Sequence, residues 1–214
     1  HGFLVGSRWH PTLMQEVKPA FFKFVNHLDK MPESVTPYVT LLVCMGLTVP
    51  HCYSEKELKT LFSGFTKNMQ MTAIWQIENS MPQGTPEERN RYWRRVLLPF
   101  FKKIWPRNKC ESDPDISQRF CSLLMKSGDE FPKVFEVFRA LLSQTKYDSL
   151  VLKNLLETKF CNNYPNDVLE YLEIVLWRPA SHLDWLQECL DRIAAANPTL
   201  KKSSVFKKFE KLVG

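Results

Sequence analysis

Phe131-Pro132-Lys133-Val134-Phe135-Glu136 returns 33 residues later as Tyr164-Pro165-Asn166-Asp167-Val168-Leu169-Glu170. Each copy follows a Leu-Leu pair, Leu123-Leu124 before the first and Leu155-Leu156 before the second, and each runs into another apolar stretch with helical spacing. A period of roughly 33 residues is the length of one helix-turn-helix unit in stacked helical arrays. A unit of that size cannot bury its apolar face alone, so neighbours stack and together form an extended surface. The expected fold class is all-α: stacked antiparallel helices, helical-repeat-like, either an α-solenoid or an irregular bundle.

Composition agrees with that expectation. Among 214 residues, 44% are hydrophobic and only 7 are glycine, which supplies a core and disfavours a turn-rich β architecture. The 14 prolines act as punctuation between helices. No apolar run reaches the roughly 18 residues that a membrane-spanning helix needs, and the opening His1-Gly2-Phe3-Leu4-Val5 lacks the form of a secretory signal. The expectation is a cytoplasmic module excised from a longer protein, with no membrane partner.

Start and stop signals divide the chain. Apolar spacing predicts helices over Pro11–Lys30 and Ser34–Leu47. Ser54-Glu55-Lys56-Glu57 has the capping-box form, so a helix opens there and runs through Ile77, with a break expected near Gly64. Thr85-Pro86-Glu87-Glu88 joins a capping threonine, proline at the first helical position and acids at the positive end of the dipole, and opens a helix that reaches Trp105. Asp113-Pro114 opens the next, ending near Gly128; later helices are expected over Ser181–Asn197 and Leu200–Val213. The whole of 1–214 reads as a single helical domain, with a soft boundary at Arg107 to Asp115, where the sequence is polar and aperiodic.

Two cationic faces are the candidate contact surfaces. At 100° per residue, Arg91, Arg94, Arg95 and Lys102 fall on one side of the Thr85–Trp105 helix, opposite Trp93, Val96, Leu97, Phe100 and Ile104. Lys103 lies close by. The second face, which includes Lys207 and Lys208 beside Lys201, Lys202 and Lys211, belongs to a terminal helix whose polar outside covers the end of the array. Guanidinium groups suit carboxylates or phosphates, and the formal net charge of +6 permits nucleic acid as a partner without demanding it. Trp93 and Trp105 invite thoughts of base stacking, but Trp93 lies on the apolar side and reads as core.

Catalytic and metal signatures are weak. The 6 cysteines are scattered singly and read as small buried hydrophobes; Cys44, His51 and Cys52 form the nearest approach to a ligand cluster, and that too reads as packing plus a loop histidine. Glu-x-Lys occurs at Glu16/Lys18, Glu57/Lys59 and Glu157/Lys159, but on helices, whereas the nucleases that use it place it on a strand. No Gly-rich phosphate loop, nucleophile elbow or zinc helix is present. No catalytic residue, cofactor, metal or small-molecule ligand is expected.

The order Tyr92-Trp93-Arg94-Arg95-Val96-Leu97-Leu98-Pro99-Phe100-Phe101, then Gly128-Asp129-Glu130-Phe131-Pro132, then Tyr164-Pro165 with a Leu-rich helix, resembles the C-terminal helical region of large bacterial proteins. In those proteins a sirtuin-like or nucleotide-hydrolysing module precedes a long helical tail, and several act in antiphage defence. The likeness runs from Arg91 to Pro198 and lacks the small-residue packing signature of tetratricopeptide units. It implies a helical tail whose effector lies elsewhere in the parent, so no catalytic residue carries over. The functional expectation is a non-catalytic interaction or scaffold module, possible partners being another protein or the parent's own effector domain; the alternative is a nucleic-acid-binding module that uses the same cations.

Overall fold

A computed structural model describes residues 53–105, 114–144, 148–176 and 182–214, with isolated positions upstream (16, 19, 23, 35, 40, 43 and 44). Every regular element among them is helical, so the chain has the all-α class that the repeat implied. The helices expected over 11–30 and 34–47 fall almost wholly outside the described residues. The chain divides into two compact units, His1–Pro106 and Arg107–Gly214.

In the first unit, α1 spans Glu55–Ser63 and opens on a complete capping box. The Ser54 amide donates to Glu57 Oε2 at 2.7 Å, and the Glu57 amide donates to Ser54 Oγ at 3.2 Å. Two backbone donors of the first turn are thereby satisfied. The chain breaks at Gly64, because Thr66 accepts from the Met69 amide and starts a second helix, α2, over Lys67–Asn79. Then come α3 (Pro86–Tyr92), a π turn (Trp93–Leu97) and α4 (Leu98–Lys103), continuous along one rod.

The π turn has a chemical cause in Pro99. Proline has no N–H to offer the Arg95 carbonyl and its ring crowds that oxygen, so a regular α turn is unfavourable there. Widening the turn relieves the crowding, and the Leu98 amide bonds to the Trp93 carbonyl, five residues back. Pro99 then sits in the first turn of α4, where a missing donor costs little.

The second unit consists of helical hairpins. α5 (Pro114–Met125) packs on α6 (Phe131–Phe138); α7 (Asp148–Glu157) and α9 (Pro165–Val175) are joined through the single-turn α8 (Phe160–Asn163), which packs on both; α10 (Leu183–Ala196) packs on α11 (Ser204–Val213). The first helices form one row, α5 on α7 on α10, and the second helices form another, α6 on α9 on α11. Pro132 and Pro165 stand in the first turns of α6 and α9, and Pro198 opens the 3-10 turn before α11. Asn197-Pro198 is therefore a third member of the period, 33 residues after Tyr164-Pro165.

Successive hairpins touch through rings, a hydrogen bond and an ion pair. The Phe131 and Tyr164 rings stack with centroids 5.7 Å apart, and the Tyr164 hydroxyl donates to the Asp129 carbonyl at 3.4 Å. Arg139 pairs with Glu170 at 2.8 Å, and Asn197 donates to the Asn166 side chain at 3.0 Å. Phe131, Phe135, Phe138, Leu155, Val168, Tyr171 and Leu172 are buried between the rows. Each such side chain contributes about 1.5–3 kcal/mol, so apolar burial outweighs the exposed polar ties. Gly128 carries φ 58°, a left-handed turn that glycine adopts without steric cost and that separates α5 from α6.

The last element differs from its expectation. A helix was expected over Leu200–Val213, but the Ser203 hydroxyl accepts from the Phe206 amide at 3.2 Å and caps a helix that begins at Ser204. Lys201 and Lys202 consequently lie on the preceding 3-10 turn.

Candidate functional site

The cationic surface of the first unit is built on the rod α3–π–α4. Its start is fixed by a second capping box: the Thr85 amide donates to Glu88 Oε2 at 2.8 Å and the Glu88 amide donates to Thr85 Oγ1 at 3.2 Å, with Pro86 at the first helical position. The buried side carries Trp93, Leu97, Phe100 and Phe101. The Phe62 ring of α1 lies 4.9 Å from Phe100 and 5.6 Å from Trp105, and Phe101 is 5.5 Å from Trp105. This aromatic cluster fixes the rotation of the rod about its own axis.

Arg91, Arg94, Arg95, Lys102 and Lys103 are all exposed. Arg91, Arg95 and Lys102 have no ion-pair partner among the described residues. Arg94 Nε donates to the Asn90 carbonyl at 3.4 Å, holding its stem along the turn where the π geometry begins. Lys103 stands 3.8 Å from Glu55, which also accepts from Lys59 at 2.7 Å. The Lys59 hydrogen bond and charge, with a smaller push from Lys103, hold the Glu55 carboxyl below its ordinary range. Lys103 therefore bridges the end of α4 to the start of α1, whereas the other four cations face solvent.

A uniform 100° wheel needs correction here. It placed Val96 and Ile104 with the core, and both are only half-buried; Phe101 and Trp105, which it left off the apolar face, are buried. The wide turn at Trp93–Leu97 delays the rotation of everything after it, so Lys102 does not hold the register with Arg91 that the wheel assigned. Trp93 and Trp105 are core residues, 0% and 3% exposed, and offer no face for a stacked base.

Lys207 and Lys208 belong to the second unit. They are exposed on α11 while Phe206 and Phe209 are buried beneath them, and the Lys208 ammonium lies 5.9 Å from the Phe209 ring centroid. Lys211 and the 41%-exposed Leu212 continue that outer side.

Cys44, Cys121, Cys161 and Cys189 are buried, while Cys52, Cys110 and His51 lie outside the described residues. The Cys44 thiol donates to the Ala73 carbonyl at 3.8 Å, and burial raises its pKa; burial likewise pushes Cys121 up to about 12. Tyr92 is raised to about 12 by burial and the nearby Cys44. Among the described residues no group of three or more His, Cys, Asp or Glu side chains gathers as metal ligands. Glu57, from one Glu-x-Lys pair, is committed to its capping box. No helix among the described residues is long and apolar enough to cross a membrane.

No family model and no solved structure matches the chain. Over 150 residues, 69% of its length, it is 25% identical to the Uncharacterized protein y4cA of Sinorhizobium fredii strain NBRC 101917 / NGR234. The matched stretch is 12% of that relative, so the chain spans about an eighth of the length of the curated relative it matches.

Proposed function

We propose that the chain is a non-catalytic interaction module of a larger bacterial protein, a helical scaffold that holds a protein partner or the parent's own effector domain. The observation that carries this reading is the α3–π–α4 rod: an aromatic core fixes one side, and Arg91, Arg94, Arg95 and Lys102 stand exposed on its remainder. A fixed helical backbone sets the spacing of the exposed guanidinium groups, whose planar forks suit bidentate recognition of carboxylates. The likeness to a short segment of a much longer rhizobial protein supports a modular role. A sensor or regulatory duty in antiphage defence belongs to the same proposal and rests on the resemblance of the aromatic-proline helix starts.

Affinity purification of the full-length protein from its own cells tests the reading, with wild type compared against R91E/R94E/R95E by quantitative mass spectrometry. A specific polypeptide whose recovery drops at least tenfold in an equally folded variant supports it. Equal recovery of every polypeptide from both contradicts it.

The second reading is binding of nucleic acid by the same cations, favoured by the exposure of Arg91, Arg95 and Lys102, which have no ion-pair partner among the described residues, and by the net charge of +6. Phosphate neutralisation makes affinity fall steeply with salt. Absence of retention on single- or double-stranded nucleic acid at low ionic strength eliminates that reading.

A further inference from the structure

The last hairpin of the second unit segregates its charge by helix. On α10, Asp184, Glu188 and Asp191 are exposed at helical spacing while Leu186, Leu190 and Ile193 are buried, and Arg192 is the one base on that helix. From Pro198 to Val213 there are five lysines against one acid, Glu210, and Lys207, Lys208 and Lys211 stand exposed on α11 over buried Phe206 and Phe209. Glu188 pairs with Arg192 at 2.6 Å and Asp191 accepts from Gln187 at 2.8 Å. Among the described residues Asp184, Asp191 and the three lysines of α11 have no ion-pair partner. Solvated surfaces ordinarily intersperse the two signs. We propose that this hairpin is a self-association surface whose occupant is a second copy of the chain, with α10 of each copy lying on α11 of the other in a two-fold dimer.

The complementarity follows from the symmetry. A short 3-10 turn joins α10 to α11, so the two helices run in opposite directions and the start of α10 lies beside the end of α11. A two-fold axis parallel to the helices sets each α10 over the partner's α11 at the same level. Asp184 then stands opposite the partner's Lys211, Glu188 opposite the partner's Lys208 and Asp191 opposite the partner's Lys207, each pair occurring twice. Leu183 and Leu212 are two of the four large hydrophobic side chains exposed among the described residues, and this axis brings them over one another. An axis across the helices places acid on acid and lysine on lysine, so charge selects one arrangement.

In the second unit α10 and α11 pack on α7, α8 and α9, which leaves these charged stripes uncovered. The 14 residues of α10 extend about 21 Å, and two adjacent helices are about 20 Å across. A face of that size suits a weak, reversible dimer and not an obligate one. The surface is separate from the cationic rod, so failure here leaves the proposed scaffold role standing.

Sedimentation velocity on the 214-residue chain, from micromolar to millimolar concentration, tests the proposal. Reversible dimers are expected at about 0.1 M salt, with affinity at least tenfold lower at about 1 M, as the Debye length falls from ~10 to ~3 Å. D184K/E188K/D191K and K207E/K208E/K211E should each be monomeric, because reversal sets like charges opposite one another, and an equimolar mixture of the two should form a heterodimer. In wild type, carbodiimide cross-linking of mixed isotope-labelled and unlabelled copies should join Asp184 to Lys211 and Glu188 to Lys208 between copies, which decides the matter even if a variant fails to fold. A wild-type chain that stays monomeric at low salt, a dimer indifferent to both reversals, or cross-links confined to other residues overturns the proposal. Retention of a monomeric wild type on DNA, lost in K207E/K208E/K211E, overturns it too and gives the lysines to a polyanion.

Discussion

Trp93→Ala tests the placement of the cationic rod, because the indole is fully buried on the side that faces the core. A buried tryptophan removes about 200 Å² from water, and at ~25 cal/mol per Å² the transfer term is about 5 kcal/mol. Compactness of the unfolded chain trims that figure, and aromatic-to-alanine changes cost about 3–5 kcal/mol, so a loss of about 4 kcal/mol is expected. Native-state hydrogen exchange reads it locally. Peptides covering 86–105 should lose protection by roughly three powers of ten, at about 1.4 kcal/mol per tenfold, while those covering 148–176, in the other compact unit, keep theirs. A loss below about 1 kcal/mol, well short of the burial term, refutes the placement and with it the assignment of the arginines to the solvent side.

Further outcomes follow from single contacts. Charge reversal at Arg91 and Arg95 changes thermal stability by no more than about 0.5 kcal/mol each, because neither has an ion-pair partner among the described residues; cooperative unfolding of either variant contradicts this. Thr85→Ala removes the acceptor for the Glu88 amide and costs about 1 kcal/mol by urea titration. A Cβ added at Gly84 clashes with Glu88 Oε2, the end of a flexible side chain, so Gly84→Ala swings that carboxylate out of the capping box. Its cost should not add to that of Glu88→Ala, and an additive double mutant shows that the carboxylate was never displaced. The Glu55 carboxyl titrates below its unfolded value, so its stabilisation is present at neutral pH and is lost as pH falls through the folded pKa. Its titration followed by NMR shifts upward more in Lys59→Met than in Lys103→Met, the reverse order refuting Lys59 as the main cause.

Much of the architecture was legible because caps and corners are local chemistry. Ser54/Glu57 and Thr85/Glu88 announce two helices within four residues each, and both boxes close as the spacing demands. The 33-residue echo at Phe131-Pro132 and Tyr164-Pro165 marks two helix starts whose aromatic rings then stack on each other. Asn197-Pro198 is a weaker signal because asparagine replaces the aromatic and the proline alone keeps the period. Pro99 is legible as a residue, but its effect is not: a uniform wheel has no place for a wide turn and sets Phe101 and Trp105 off the apolar side, although both are buried.

The stack of hairpins is tested most directly by proton NOEs in the full chain with selectively labelled phenylalanine and tyrosine. Stacked rows predict ring contacts between Phe131 and Tyr164 and between Phe135 and Tyr171, each pair joining one hairpin to the next. Contacts confined to single hairpins, with none across the period, would contradict the two-row architecture.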